Sequence, residues 1–230
     1  MNRVVHRWKS FWDGKTVPLH TRDADDHYLR LSQELRILFD DSQPERVLEI
    51  GCGNGALYRH LGFDHATTYK GVDFSQSMLE RFNERHPEAA LISAGGHAYH
   101  DDQQYDLIFS NGVVQYFDPA MLAEHFRHAA AMLAPNGKFI CASVPWKCLR
   151  HRHRRGQFHR KRLSFVRSLA SYLRSVWRDS MGEWFEWRDF ERLARQHGLT
   201  AKFYGSLHYP YRFHAVMSRE SADESSRKAA

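Results

Sequence analysis

Residues 47–55 of the chain read Val47-Leu48-Glu49-Ile50-Gly51-Cys52-Gly53-Asn54-Gly55. The apolar run at the start is typical of a buried parallel strand. Three glycines at alternate positions follow it, and they let the backbone turn tightly and approach a ligand without interference from a Cβ atom. Residues 56–61 have helical spacing, and the free N–H groups of such a helix would face the same ligand. The pattern predicts a strand, a glycine-rich loop and a helix that bind a small molecule.

Two kinds of ligand use such a loop. Gly51, Gly53 and Ala56 satisfy the dinucleotide fingerprint G-x-G-x-x-G/A, and Asp73 follows about 20 residues later, where that fingerprint has a ribose-binding acid. Glu49 favours a different ligand, because a carboxylate beside the loop attracts an ammonium group and repels a pyrophosphate. S-adenosylmethionine has an α-amino group and a sulfonium but no phosphate, so it fits better. An oxidoreductase is therefore the least favoured class.

Four segments, in this order, resemble the class I S-adenosylmethionine-dependent methyltransferases, in particular the small-molecule branch, over about residues 28–217. They are the strand and loop Val47–Gly55, the acid-ending strand in Tyr69–Ser75, the strand Tyr105–Asn111 and the turn Leu133–Gly137. The resemblance implies an α/β fold with a doubly wound, mostly parallel, seven-stranded Rossmann-like sheet and an antiparallel C-terminal edge strand. Alternation of strand and helix patterns up to about Val144 favours the same architecture.

The resemblance implies S-adenosylmethionine as the cofactor and assigns a set of residues to it: Glu49, Gly51, Gly53, Asp73, Phe74 and Asn111. Asp73 can accept hydrogen bonds from both ribose hydroxyls. Phe74 is placed to lie against adenine, with an ordinary core position as the alternative. Ser75 is a candidate N-cap of the next helix. No metal site is predicted.

One segment departs from the family pattern. Relatives usually place an aspartate after the third strand, where it accepts from the adenine amino group, but this chain has Ala94-Gly95-Gly96-His97 there. Backbone carbonyls of Gly95 or Gly96, or the ring of His97, are the alternatives for that contact. An exposed loop histidine is the plainer interpretation of His97.

The chain divides into three parts by pattern. Residues 1–44 form an N-terminal helical cap with a helix from about 24 to 39, and residues 45–218 form the methyltransferase domain. That domain includes a basic helical insertion, 147–185, over the substrate side, and residues 219–230 are a flexible tail. Asp118-Pro119 predicts a helix start, a last helix covers 184–197, and strands follow at 199–205 and 212–218.

Positive charge is concentrated in residues 147–178, which contain eleven Lys or Arg and no acid, although the net charge of the chain is only +6. Residues 163–177 have the spacing of a basic amphipathic helix. Such a helix can contact an anionic membrane, bind RNA phosphates, cover an anionic acceptor, or pack its apolar side on the domain with the arginines in water.

Composition limits the setting. The chain has 230 residues, 42% of them hydrophobic and 26% charged, as in ordinary globular proteins. It shows neither a membrane span nor a secretory signal. Three cysteines without a C-x-x-C pair indicate a reduced, cytoplasmic setting and no structural zinc.

The sequence thus predicts a methyltransferase that acts at oxygen of a small-molecule or glycan-like acceptor, and phosphorylated and lipid-linked acceptors are among the candidates. The alternatives are an RNA methyltransferase that uses the basic segment and a non-catalytic membrane- or protein-docking module. Residues 209–214 resemble a Tyr-Arg-Phe-Asp ending of methyltransferases in surface-polysaccharide and natural-product pathways, with His214 in place of the acid. Spacing singles out no catalytic base among the candidates in strand-end loops, which are Asn111, Gln115, Tyr116, Trp146, His208, Tyr209, Tyr211 and His214.

Overall fold

The computed structural model of the protein describes residues 22–40, 43–158 and 181–219. The strands are β1 (Arg46–Ile50), β2 (Thr68–Asp73), β3 (Ala90–Ser93), β4 (Tyr105–Asn111), β5 (Leu133–Pro145), β6 (Leu199–Gly205) and β7 (Arg212–Arg219). The α-helices are α1 (Arg22–Leu38), α2 (Tyr58–Leu61), α3 (Gln76–Asn83), α4 (Pro119–Met132), α5 (Arg150–Arg154) and α6 (Trp187–Gln196). Short 3-10 turns cover Val114–Tyr116 and Lys147–Leu149.

All seven strands form one sheet in the order β3-β2-β1-β4-β5-β7-β6. The first five strands are parallel to their neighbours. β7 runs antiparallel to both β5 and β6, so β6 forms the edge. The predicted doubly wound, mostly parallel sheet with an antiparallel C-terminal pairing is confirmed. Its parallel strands all end at the same edge, where such sheets bind ligands.

Two apolar clusters cover the two faces of the sheet. Val47 belongs to the cluster that includes Leu35 of α1 and Phe82 of α3, whereas its neighbour Leu48 belongs to the cluster that includes Phe126 of α4 and Phe190 of α6. Neighbouring side chains of a strand point to opposite faces, so one short strand supplies both clusters. β1 is therefore the centre of the fold.

The starts of α3 and α4 agree with the sequence predictions, and the starts of α2 and α6 differ. Asp118 caps α4, because its Oδ1 accepts hydrogen bonds from the N–H groups of Ala120 and Met121 at 3.0 and 2.9 Å. Ser75 occupies the predicted N-cap position of α3, but its side chain makes no cap hydrogen bond. The helix expected from residue 56 begins at Tyr58 and has a single turn. The helix expected from Trp184 begins at Trp187.

The late start of α6 has a physical reason. Glu186 and Asp189 form a reciprocal capping box that fixes the first turn. Trp184 and Phe185 precede it in extended conformation and are each only 5% exposed. They are core residues of a connecting segment and do not belong to the helix. The glutamate and aspartate three positions apart were the signal for the true boundary.

Parts of the predicted organisation lie outside the described residues. These are the start of the N-terminal cap (1–21), the amphipathic segment 163–177 and the tail from residue 220. In the part of the chain that is described, no helix combines the length and the apolarity needed to cross a membrane.

Candidate functional site

A cavity of about 440 Å³ lies at the carboxyl ends of the parallel strands. It is lined by residues that follow β1, β2 and β4 and so spans the point where the strand order reverses. That point is the usual ligand site of doubly wound sheets. The six residues predicted to bind the cofactor all line this cavity: Glu49, Gly51, Gly53, Asp73, Phe74 and Asn111.

The glycine-rich loop depends on the absence of side chains at two positions. Gly51 has φ +77°, and a Cβ atom there would lie 2.2 Å from Cγ2 of Val113. Gly53 has φ +54°, a region that L-residues rarely adopt. Its N–H donates to Oδ2 of Asp73 at 2.9 Å. A side chain at Gly51 would clash with Val113, whereas a side chain at Gly53 would have space but would strain the backbone.

Both carboxylate oxygens of Asp73 accept backbone hydrogen bonds, one from the glycine loop and one from the turn after β2. Besides the bond from Gly53, Oδ1 accepts a hydrogen bond from the N–H of Ser75 at 2.9 Å. A carboxylate oxygen can accept more than one hydrogen bond. The carboxylate is thus fixed in place by the backbone and keeps acceptor capacity toward the cavity.

Glu49 is almost fully buried, with 3% of its surface exposed. The hydroxyl of Tyr69 donates to its Oε2 at 2.6 Å. Burial raises the pKa of Glu49 to about 8, against the opposing effect of the Tyr69 hydrogen bond and with a smaller contribution from the charge of Asp73. Near pH 7 the group is therefore mostly protonated, and an approaching cation would favour its ionised form.

Asn111 and Gly96 also line the half of the cavity that contains the glycine loop, Asp73 and Glu49. Oδ1 of Asn111 is buried and has no hydrogen-bond partner in the described part of the chain. Gly96 lines the cavity, whereas His97 does not; the His97 ring packs on Phe117 with centroids 5.7 Å apart. Of the alternatives for the missing aspartate, Gly96 lines the cavity, whereas Gly95 and His97 do not.

The other half of the cavity is formed by α1, by residues that follow β4 and β6, by Ser143 of β5 and by Arg212 of β7. Of the candidates in strand-end loops, Gln115, Tyr116, Tyr209 and Tyr211 line it. The remaining three do not. Trp146 donates from Nε1 to Glu186 at 3.3 Å, Nε2 of His208 lies 3.1 Å from the carbonyl of Arg30, and His214 is buried.

The cavity lining also includes His27 and Ser143, which the sequence did not indicate, and Arg212, which appeared there only as part of the ending at residues 209–214. Nε2 of His27 lies 3.2 Å from the hydroxyl of Tyr209. Burial lowers the pKa of His27, and the nearby charges of His208 and Arg30 lower it further. His27 is therefore neutral at pH 7. The only sequence signal for it was its place in the amphipathic pattern of α1.

Ser143 interrupts β5. The pairing of β5 with β7 shifts register between Cys141 and Val144, and Ser143 has φ +55°, which is rare for a residue other than glycine. Its N–H donates to Nδ1 of His214 at 3.2 Å, and its carbonyl accepts from the Arg212 guanidinium. Two side chains of β7 thus hold both backbone groups of the bulged residue.

His214 is fixed in turn by α1. Its Nε2 lies 3.0 Å from Oε1 of Glu34, and both side chains are buried. Since Nδ1 accepts from a backbone N–H, Nε2 carries the proton and donates to the carboxylate. This arrangement gives His214 a structural position behind the cavity wall, away from an acceptor molecule.

Comparison with known proteins agrees with this geometry. Residues 48–139 match the family described as "Methyltransferase domain". The trans-aconitate 2-methyltransferase of Yersinia pseudotuberculosis is 31% identical over 101 residues, which are 42% of this chain and 37% of the relative. The chain therefore matches little more than a third of the length of that relative.

Solved structures share the fold over nearly the whole chain. Magnesium protoporphyrin IX methyltransferase from Synechocystis PCC 6803, with bound SAH, has a TM-score of 0.59 at 15% identity and 94% coverage of both chains. An amino pentose methyltransferase of calicheamicin biosynthesis from Micromonospora echinaspora, with bound SAM, has a TM-score of 0.57 at 16% identity, covering 94% of this chain and 97% of that chain.

The solved structures share the fold of this chain, and residues 48–139 match a methyltransferase domain, as the sequence predicts. The proteins compared are methyltransferases of trans-aconitate, magnesium protoporphyrin IX and an amino pentose.

Proposed function

We propose that this protein is an S-adenosylmethionine-dependent methyltransferase that acts on a small-molecule acceptor. The observation that carries the proposal is the convergence of Glu49, Gly51, Asp73 and Asn111 on one cavity at the carboxyl edge of the sheet. The resemblance assigned these residues to one ligand although they come from three strands. The SAM- and SAH-bound structures with the same fold support that ligand.

The chemistry of the cavity fits S-adenosylmethionine better than a dinucleotide. The ionisable groups beside the glycine loop are the carboxyl groups of Glu49 and Asp73, and Arg212 is the only Lys or Arg among the described lining residues. Arg212 belongs to β7, three strands away from β1 in the sheet. A diphosphate at the loop would meet the Asp73 carboxylate without a balancing cation, whereas an ammonium group would ionise Glu49 and pair with it.

S-adenosylmethionine supplies an electrophilic methyl group. The chain's own contribution is to hold the acceptor close and in line, because positioning alone accounts for a large part of such a rate enhancement. Tyr28 and Leu31 of α1 and Tyr116 close the sides of the cavity. These side chains exclude water from the space in which the acceptor would lie.

We further propose that the methyl group goes to oxygen, with His27 and Tyr209 removing the acceptor proton. The geometry that supports this is their 3.2 Å contact in the cavity wall. An acceptor hydroxyl that donates to the Tyr209 oxygen can lose its proton as Tyr209 passes its own to Nε2 of His27. The lowered pKa of His27 keeps Nε2 free to take that proton at pH 7. A glycan-like acceptor carries suitable hydroxyls.

Calorimetric titration with S-adenosylhomocysteine tests the class. Wild-type protein should bind it, and Asp73→Ala should not, because that variant loses the ribose acceptor and the bond to Gly53. Asp64→Ala is the matched control: Asp64 also accepts a backbone N–H, from Ala66, but it is exposed and outside the cavity. Binding of NAD by a protein that does not bind S-adenosylhomocysteine would overturn the proposal.

A further inference from the structure

Arg212 is the first residue of β7, opposite Pro145 at the end of β5, and it lines the acceptor half of the cavity. Its guanidinium lies 5.6 Å from the ring centroids of both Tyr209 and Tyr211. One nitrogen, Nη1, donates to the carbonyl of Ser143, and Nη2 lies 3.9 Å from Sδ of Met181. Within the described residues, no carboxylate oxygen comes within 4.0 Å of this guanidinium.

Other arginines of the described chain are used differently. Arg195 pairs with Glu191 on the surface at 2.8 Å, and Arg59 pairs with Asp25. Nη2 of Arg219 donates to the carbonyls of Ala130 and Leu133 at 3.0 and 3.3 Å. A guanidinium has five N–H donors in a planar fork that matches a carboxylate or a phosphate. Within the described residues, Arg212 uses few of these donors, and its side chain is half-buried beside the cavity.

The position of Arg212 is set by a strained element. Its carbonyl partner, Ser143, is the bulged residue with φ +55°, a strained conformation that persists only where the surroundings enforce it. His214 accepts a hydrogen bond from the N–H of Ser143, and Glu34 holds the His214 ring from behind the strand. Bulges beside ligand sites often re-aim a side chain. The carbonyl of Ser143 is turned by this bulge toward the guanidinium.

Aromatic rings pack around Tyr211, whose own ring lies beside the Arg212 guanidinium. Tyr211 packs against His153 at 4.4 Å, Phe158 at 5.6 Å and Trp184 at 6.3 Å between ring centroids. These contacts fix the Tyr211 ring, and the ring in turn lies against the guanidinium. Arg212 is thus a preorganised cation on an aromatic wall, so its donors are oriented before a ligand arrives.

We propose that Arg212 binds an oxyanion, a carboxylate or a phosphate, carried by the methyl acceptor. This inference rests on the proposed function and specifies its substrate class. Along the sheet edge, Asp73 ends β2, Glu49 lies in β1, and Arg212 begins β7 beyond β4 and β5. An anionic acceptor would therefore lie with its charge at the β7 end, and its nucleophile would point toward the glycine loop.

The test uses three ring probes that differ in charge: benzoate, phenyl phosphate and benzyl alcohol. Each is titrated into protein saturated with S-adenosylhomocysteine, and the Nε–Hε NMR signal of Arg212, assigned with Arg212→Lys, is followed. We expect benzoate or phenyl phosphate to shift that signal, and benzyl alcohol at equal concentration to leave it in place. The two anions separate a carboxylate-bearing from a phosphate-bearing acceptor.

Two variants complete the design. Arg212→Gln should weaken binding of the preferred anion at least tenfold. Arg188→Gln should not, because Arg188 also stacks on an aromatic ring, Trp187 at 5.1 Å, but is exposed and outside the cavity. If circular dichroism shows that Arg212→Gln does not fold, Arg212→Lys replaces it. That variant keeps the positive charge but loses the planar guanidinium, and we expect it to bind the anion more weakly.

The outcomes are distinguishable. Equal binding of anions by wild type and the Arg212 variant, or binding of benzyl alcohol as tight as that of the anions, overturns the inference while S-adenosylhomocysteine still binds. Failure of S-adenosylhomocysteine to bind in the first step overturns the proposed function itself.

Discussion

At the scale of single residues, Glu49 changes the interpretation drawn from the sequence. The glutamate before the glycine loop was expected to repel phosphate as a fixed negative charge. With a pKa raised to about 8 by burial, it is instead mostly neutral at pH 7. Its charge would form when an ammonium group arrives, so the selectivity for a cation comes with release of a proton.

Binding of S-adenosylhomocysteine should therefore depend on pH. Between pH 6 and 8 the affinity should rise by up to about tenfold per pH unit, because the free protein holds a proton that the complex releases. Above pH 8 the rise should stop. Calorimetry in phosphate and in Tris buffer should show release of about one proton at pH 7. In Glu49→Gln the slope should disappear, and an unchanged slope would contradict the role of Glu49.

Asp101 is a second residue whose charge is set by its surroundings. Its Oδ2 accepts hydrogen bonds from Nζ of Lys70 at 2.6 Å and from the hydroxyls of Tyr99 and Tyr105, both at 2.7 Å. Burial alone would raise the pKa of Asp101, but these bonds outweigh it and lower the pKa to about 2. The network ties β2 to β4 and to the segment between β3 and β4.

At low pH, the contribution of the Asp101 carboxylate to the stability of the fold should be lost. A carboxyl with a lowered folded-state pKa stabilises the fold above its usual pKa near 3.8, and that stabilisation is lost as the pH falls toward 2. The free energy of unfolding of wild type should exceed that of Asp101→Asn by about 2 kcal/mol at pH 6, as measured by urea unfolding. The two values should converge near pH 2. Asp102→Asn, at an exposed neighbour, should match wild type throughout; a constant gap for Asp101→Asn would disprove the linkage.

At the scale of elements, α1 is attached to the β6–β7 turn by side chains. Glu34 takes hydrogen bonds from His214 and from the N–H of Leu207, and His27 contacts Tyr209. Burial raises the pKa of Glu34, but these bonds and the charges of His214 and His208 lower it overall. The contacts join residues far apart in sequence and place α1 against the acceptor half of the cavity.

Glu34→Gln should loosen this attachment locally. Hydrogen exchange should become about tenfold faster in residues 22–38 and 205–212, since one weakened buried bond to a charged group corresponds to about 1.4 kcal/mol. Exchange in β1 and β4 should not change. Glu45→Gln, an exposed carboxylate outside the contact, is the control. Equal acceleration across the sheet would show that α1 is not a separate unit.

At the scale of the whole molecule, ligand binding should stabilise the fold. S-adenosylhomocysteine at 100 times its dissociation constant contributes about 2.7 kcal/mol. For a domain of this size, that corresponds to a rise of about 5–10 °C in Tm by calorimetry. NAD at the same concentration should leave Tm unchanged. A larger shift with NAD would contradict the assignment of the cavity.

The sequence predicted the sheet and the cofactor half of the cavity, because those features are local. Val47–Gly55 contains a strand and its loop in nine consecutive residues, and Asp73 ends the next strand. His27 and Tyr209 are 182 positions apart, and Ser143 and Arg212 are 69 apart. Periodicity does not reveal contacts between residues so far apart, so these pairings were not predicted. The sequence did place Gln115, Tyr116, Tyr209 and Tyr211 among the candidates that line the cavity. The basic segment, which raised RNA and membrane contact as alternatives, lies largely outside the described residues.

The two flanks of residues 159–180 meet at Arg212 and its neighbour. Phe158 packs on the Tyr211 ring, and Met181 lies beside the Arg212 guanidinium. Any change that moves Phe158 or Met181 would therefore alter the surroundings of the Tyr211 ring and the Arg212 guanidinium, three strands away from the glycine loop in the sheet.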